Sequence, residues 1–118
     1  MPRYPITPVP KPRQTRSDRW KKRPCVLRYR EFADIVRSYG VDIPEEAPHI
    51  IFYIPMPASW NKKKKEKFFL KPHRQKPDID NLFKALSDAL YRNDAHIWDV
   101  WIQKRWAYEG AIEIKSWR

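Results

Sequence analysis

Proline sets the first limit on what this chain can fold into: there are 12 prolines against 2 glycines, and most of the prolines fall before residue 60. Each one fixes φ and removes a backbone donor, so this half is expected to run as extended pieces joined by rigid turns. Tyr4 to Val9, interrupted by Pro5 and Pro8, suits an edge strand or an extended arm and not a central strand. Ile50-Ile51-Phe52-Tyr53-Ile54 is a continuous apolar run ended by Pro55 and Pro57, which predicts a buried strand.

The remaining elements follow from periodicity. Val26 to Tyr39 repeats apolar residues at threes and fours and stops at Gly40, which predicts a helix. Ser59 can cap a short helical turn. Lys76 to Leu90 predicts a second helix, with Ile79, Leu82, Phe83, Leu86, Ala89 and Leu90 on one side and Asp80, Lys84, Asp88 and Tyr91 on the other. Pro77 suits the lead-in, and Asp78 or Asp80 can cap its first turn. Ile97 to Tyr108 alternates as a strand, with Lys104 the odd member of an apolar face, and a turn at Glu109-Gly110 leads into the alternating Ala111 to Lys115. The expected fold is α+β: a single small domain over residues 1–118, with a mixed β-sheet, packed helices and a C-terminal β-hairpin.

Charge narrows the partners. Lys and Arg number 25 against 14 acidic residues, a formal net charge of +11, which points to a polyanion and first to nucleic acid. No stretch has the length and apolarity of a membrane span, and the N-terminus carries no signal-peptide apolar region, so a cytoplasmic protein with no membrane partner is expected. The single cysteine, Cys25, forms no internal disulfide; zinc spacings and glycine-rich phosphate loops are absent, so no nucleotide cofactor is expected. Two basic stretches are candidate DNA contacts. Lys11 to Arg23, with Trp20 among its arginines and lysines, can lie along a phosphate backbone. Lys62, Lys63, Lys64, Lys65, Lys67, Phe68, Phe69, His73, Arg74 and Lys76 form the denser one, whose lysines can grip phosphate and whose phenylalanines can touch exposed bases.

Against this positive background the carboxylates of the second helix need a reason. Asp80, Lys84 and Asp88 are spaced i, i+4, i+8 and so line up, with Asp78 just before them. One reading is a solvated face with an N-cap and helical ion pairs. The other is a hard divalent cation held by Asp78 and Asp80 with a third carboxylate from elsewhere, since Mg2+ prefers oxygen ligands. The residues alone leave both open.

Lys76-Pro77-Asp78-Ile79-Asp80-Asn81-Leu82-Phe83-Lys84, followed by Asp88-Ala89-Leu90 and Asn93-Asp94-Ala95-His96-Ile97, resembles the RusA-type Holliday junction resolvases, endodeoxyribonucleases of bacteria and their phages. The resemblance spans most of the chain, with weaker agreements at Ile6 to Pro12, Ile54 to Trp60 and Lys104. It implies a RusA-like fold and a Mg2+-dependent homodimer that cuts two strands of a four-way junction symmetrically. It further implies that Asp78, Asp80 and Asp94 bind the metal, that Lys84 is the essential catalytic lysine, and that Lys104 belongs to the DNA-binding set. Members usually carry two acidic residues where this chain has Asn93-Asp94, which leaves Asp99 as an alternative third ligand. Two other functions fit the charge: a non-catalytic nucleic-acid-binding module, and a nuclease of looser specificity for branched DNA.

Overall fold

A computed structural model describes residues 2–12 and 23–118. The elements, in chain order, are β1 (Arg3–Tyr4), α1 (Pro24–Ser38), β2 (Pro48–Pro55), α2 (Lys62–Phe68), α3 (Ile79–Leu90), β3 (Trp101–Ala107) and β4 (Ala111–Ser116). The strands form one mixed sheet in the order β1-β4-β2-β3. The expected α+β domain is therefore present, and the apolar run at Ile50 to Ile54 is its central strand.

Burial follows from the pleat. Ile50 and Phe52 face the helices with Ile112 and Ile114 of β4, and α1 closes this side with Phe32, Ala33 and Val36 while α3 supplies Leu82, Ala85, Leu86 and Ala89. Ile51 and Tyr53 point the other way, into a smaller cluster with Ala107 and Ala111. Proline shapes the N-terminal arm as expected: Arg3 and Tyr4 pair with the sheet as a short antiparallel edge against Glu113 and Ile112, and the Ile114 amide donates to the Pro2 carbonyl at 3.1 Å. The arm then crosses to α3, where the Lys11 amide donates to the Asn81 carbonyl at 3.2 Å. Arg13, Arg16, Arg19, Trp20, Lys21 and Lys22 of the first basic stretch lie outside the described residues.

Three expectations need correction. The C-terminal hairpin does not form. β3 pairs parallel with one side of β2 (Ile50 opposite Ile102, Phe52 opposite Lys104) and β4 pairs antiparallel with the other (Ile50 opposite Ile114). A strand buried on both faces needs a partner on both edges, and Tyr108 to Gly110 is long enough to cross the end of β2, two strand spacings of about 4.8 Å each. The strand expected from Ile97 begins at Trp101 instead, since β2 offers pairing partners only from His49, opposite Trp101. The short turn after Ser59 is a seven-residue helix, α2, capped by Asn61, whose Oδ1 accepts the Lys64 amide at 2.8 Å.

Candidate active site

The lead-in to α3 is set by the edge of β3. Residues 70–73 run antiparallel to it: the Trp106 amide donates to the Lys71 carbonyl, and the His73 amide donates to the Lys104 carbonyl, each at 3.0 Å. The chain then turns toward α3 through a cis Lys76–Pro77 bond. Lys104 Nζ holds this turn, donating to the Gln75 carbonyl at 2.7 Å and the Pro77 carbonyl at 2.8 Å. Desolvation lowers the pKa of this ammonium, and the negative charge of Asp78 nearby raises it in part. The register accounts for the odd lysine: Lys104 lies opposite Phe52 on the helix-covered side of the sheet, half-buried, with its head on the 75–77 turn.

Asp78 occupies the N-cap position of α3, yet its carboxylate makes no capping hydrogen bond. Asp80 stands in the first turn, exposed, with no hydrogen bond or ion pair among the described residues. Two carboxylates in a +11 chain thus sit unused at the positive end of a helix dipole. One turn on, Lys84 Nζ lies 3.7 Å from Asp88 Oδ1, and its side chain remains 60% exposed. The other Asp88 oxygen is 3.2 Å from Lys11 Nζ, which also sits 4.2 Å over the Tyr29 ring. Asp88 is therefore shared between two ammonium groups, and the helical ion pair read from the spacing is present between Lys84 and Asp88.

Asp94 comes from the loop after α3. That loop is tied by the Ala95 amide to Asn93 Oδ1 at 2.9 Å and by the Ile97 amide to the Asp94 carbonyl at 3.0 Å. The fully buried Ser87 hydroxyl lies 3.3 Å from Asp94 Oδ2 and 3.2 Å from the Lys84 carbonyl, and its one proton serves one acceptor at a time. Asp99 lines the same groove as Asp94. Among the described residues, no three His, Cys, Asp or Glu side chains are gathered as a metal cluster. Mg2+ keeps several waters and needs only one or two carboxylates when substrate phosphate completes its shell. The oxygen donors of Asp78 and Asp80, free of caps and ion pairs, fit that requirement.

The basic candidates divide. Lys62, Lys63, Lys64 and Lys67 are exposed on α2 and Lys65 is half-buried there, with Lys64 Nζ 4.3 Å over the Trp60 ring. Phe68 packs on Trp60 at 5.1 Å, and Trp60 on Trp106 at 4.8 Å, which anchors α2 to β3. Phe69 remains exposed beside Tyr108, 5.0 Å between ring centroids. Arg74 and Lys76 are exposed. His73 is buried, 5% exposed, with its ring 4.3 Å from that of Trp106 and Nδ1 without a partner. Burial and the neighbouring Lys104 charge lower its pKa. Of the residues read as DNA contacts, His73 is therefore buried, and Lys104 is half-buried with its ammonium on the Gln75 and Pro77 carbonyls. Ser87 was invisible to sequence reasoning: a serine one residue after Leu86 gives no local sign that a loop carboxylate will meet it.

Comparison with known proteins bears on the family. A family model described as "Endodeoxyribonuclease RusA" matches residues 5–115. The chain is 39% identical over 71 residues to a Bacillus subtilis (strain 168) protein named "Uncharacterized protein YqaN", a match covering 52% of this chain and 49% of that protein. The match therefore spans about half the length of that relative. No solved structure matches. No helix of the described residues is long and apolar enough to cross a membrane.

Proposed function

The chain belongs to the RusA endodeoxyribonuclease family, and from that membership we propose that it is a Mg2+-dependent endodeoxyribonuclease that resolves four-way junctions by paired symmetric cuts in DNA recombination and repair. The observation that carries the reading is the pair of carboxylates at the start of α3, exposed and committed neither to capping nor to an ion pair. Asp78 and Asp80 hold the ion, and Asp94 is the proposed third donor, one oxygen steadied by Ser87. Bound there, a divalent cation would supply Lewis-acid chemistry toward the phosphate and the attacking water.

The chain's own groups supply the rest. Lys84, held at Asp88 with its ammonium open to solvent, meets the developing charge on the scissile phosphate or the leaving oxygen. Lys104 fixes the turn that presents Asp78. The α2 lysines, with Arg74 and Lys76, hold the phosphate backbone. Two symmetric cuts call for two such sites related by a two-fold axis, hence a homodimer.

The test is cleavage of a labelled four-way junction with Mg2+ and with EDTA. Paired nicks that need the metal are expected, with flap and linear duplex cut poorly. Asp80→Asn is expected to lower cleavage at least about a hundredfold, and Lys84→Ala roughly a hundred- to a thousandfold, both with junction binding retained. Binding without nicks under any divalent ion would identify a non-catalytic module, and equal cutting of flaps and junctions a looser nuclease. Wild-type rates in Asp80→Asn would sink the site.

A further inference from the structure

Trp98 is the largest apolar expense on the surface. It is 71% exposed, more than any other large apolar residue described. Every other described tryptophan has a ring or cation partner: Trp60 packs on Phe68 and Trp106, Trp101 stacks on His49 at 3.7 Å, and Trp117 lies 5.0 Å beneath the Arg118 guanidinium. Trp98 has none. It stands in the loop that carries Asp94, and with Phe83, Asp94 and Asp99 it lines an open groove of about 630 Å3. On its other side it borders a cavity of about 380 Å3 that also takes in Asp42, Glu45 and Tyr91.

We propose that Trp98 is a stacking platform for an unpaired nucleobase of the DNA strand held at the Asp94 groove. The inference rests on the proposed function for the presence of that strand. The occupant follows from the surroundings. Asp94, as a proposed donor to the ion, brings the scissile phosphate to this groove and so puts a base of the same strand within reach of the indole, while Asp42 and Glu45 in the neighbouring cavity disfavour a path for the backbone there. The loop is already held by the Ala95 amide on Asn93 Oδ1 and the Ile97 amide on the Asp94 carbonyl, so stacking orders little that is not ordered beforehand. A base in closed duplex shows no free face; one at a branch point does. Trp98 thus adds selectivity for strands with unpaired bases beside the cut.

The experiment places 2-aminopurine in turn at each nucleotide around the branch point of a four-way junction and measures fluorescence and affinity in EDTA, where no cutting occurs. With wild type, one position is expected to be quenched on binding. Trp98→Ala is expected to relieve that quenching and weaken junction binding roughly five- to a hundredfold, with Trp98→Phe keeping most of both, duplex affinity unchanged and the melting temperature unmoved. Equal quenching and affinity in wild type and Trp98→Ala would overturn the proposal. So would a change of oligomeric state in Trp98→Ala with quenching intact, which would assign the indole to a protein contact. Adding Mg2+ separates the two readings. Trp98-dependent quenching without cleavage rejects the nuclease and leaves the platform; cleavage with no dependence on Trp98 does the reverse. Failure to bind DNA rejects both.

Discussion

Lys104 interrupts the apolar face of β3, and its two short bonds to the Gln75 and Pro77 carbonyls account for that. A cation placed there ties down the turn from which Asp78 emerges. Methionine at this position would keep the stem's packing and lose the tether. We therefore expect Lys104→Met to lower kcat on saturating junction by about ten- to a hundredfold, the size of effect that small misplacements of reacting groups produce. Junction affinity in EDTA is expected to change less than threefold, about what one exposed cation contributes. Single-turnover cleavage and a binding titration measure the two. An affinity loss that accounts for the whole loss of kcat/KM, with kcat unchanged, would make Lys104 a phosphate contact after all. Asp78 and Asp80 were legible in the sequence because a carboxylate pair at a helix start stands out in a +11 chain. The tether was not legible, because its acceptors are backbone carbonyls, which carry no residue signature.

Among the elements, α2 is the one whose sequence and structure disagree with its length. Seven residues, mostly lysine, do not hold a helix in isolation. Asn61 caps it, and Trp60 and Phe68 fasten it to Trp106 on β3, so its lysines project from a fixed base beside the turn that leads to Asp78. A fixed row of cations on phosphate has a measurable signature, the release of counterions. Replacing Lys62 and Lys63 with glutamine is expected to reduce the slope of log affinity against log salt by about one to two, since each B-DNA phosphate contact contributes roughly 0.9. Cleavage at saturating junction should be unchanged. An unaltered slope would return these lysines to solvent. The same element scale shows where periodicity runs out. The alternation of Ala111 to Lys115 fixed a strand and its faces, and the short Glu109-Gly110 turn suggested the wrong neighbour. Partner choice was decided by Ile50 to Ile54, which is apolar on both faces and so takes β3 on one edge and β4 on the other.

At the scale of the whole molecule, the joint between α2, β3 and the approach to α3 converges on one buried ring. His73 lies against Trp106, its amide bonded to the Lys104 carbonyl, its Nδ1 without a partner and the Lys104 side chain close by. Burial first, and the Lys104 charge second, hold its pKa below the ordinary 6.5. The folded state therefore keeps His73 neutral while the unfolded chain takes a proton. Where the unfolded state binds more protons, stability rises with pH, so the contribution is complete above pH 6.5 and is lost as pH falls from there toward the folded value. Unfolding free energy from urea titrations at pH 7.5 and 5.5 should fall on acidification by at most one proton's worth, about 1.4 kcal/mol per pH unit. His73→Phe removes the titration and fills a similar volume, so its stability should be flatter over the same interval and at pH 5.5 should gain on wild type. Every other titratable group is present in both proteins, so the difference between the two curves isolates His73. Parallel curves would show that His73 takes its proton without leaving the fold. They would make the Trp106 pocket wetter than its geometry indicates, and with it the anchor that fixes α2 beside the carboxylate pair.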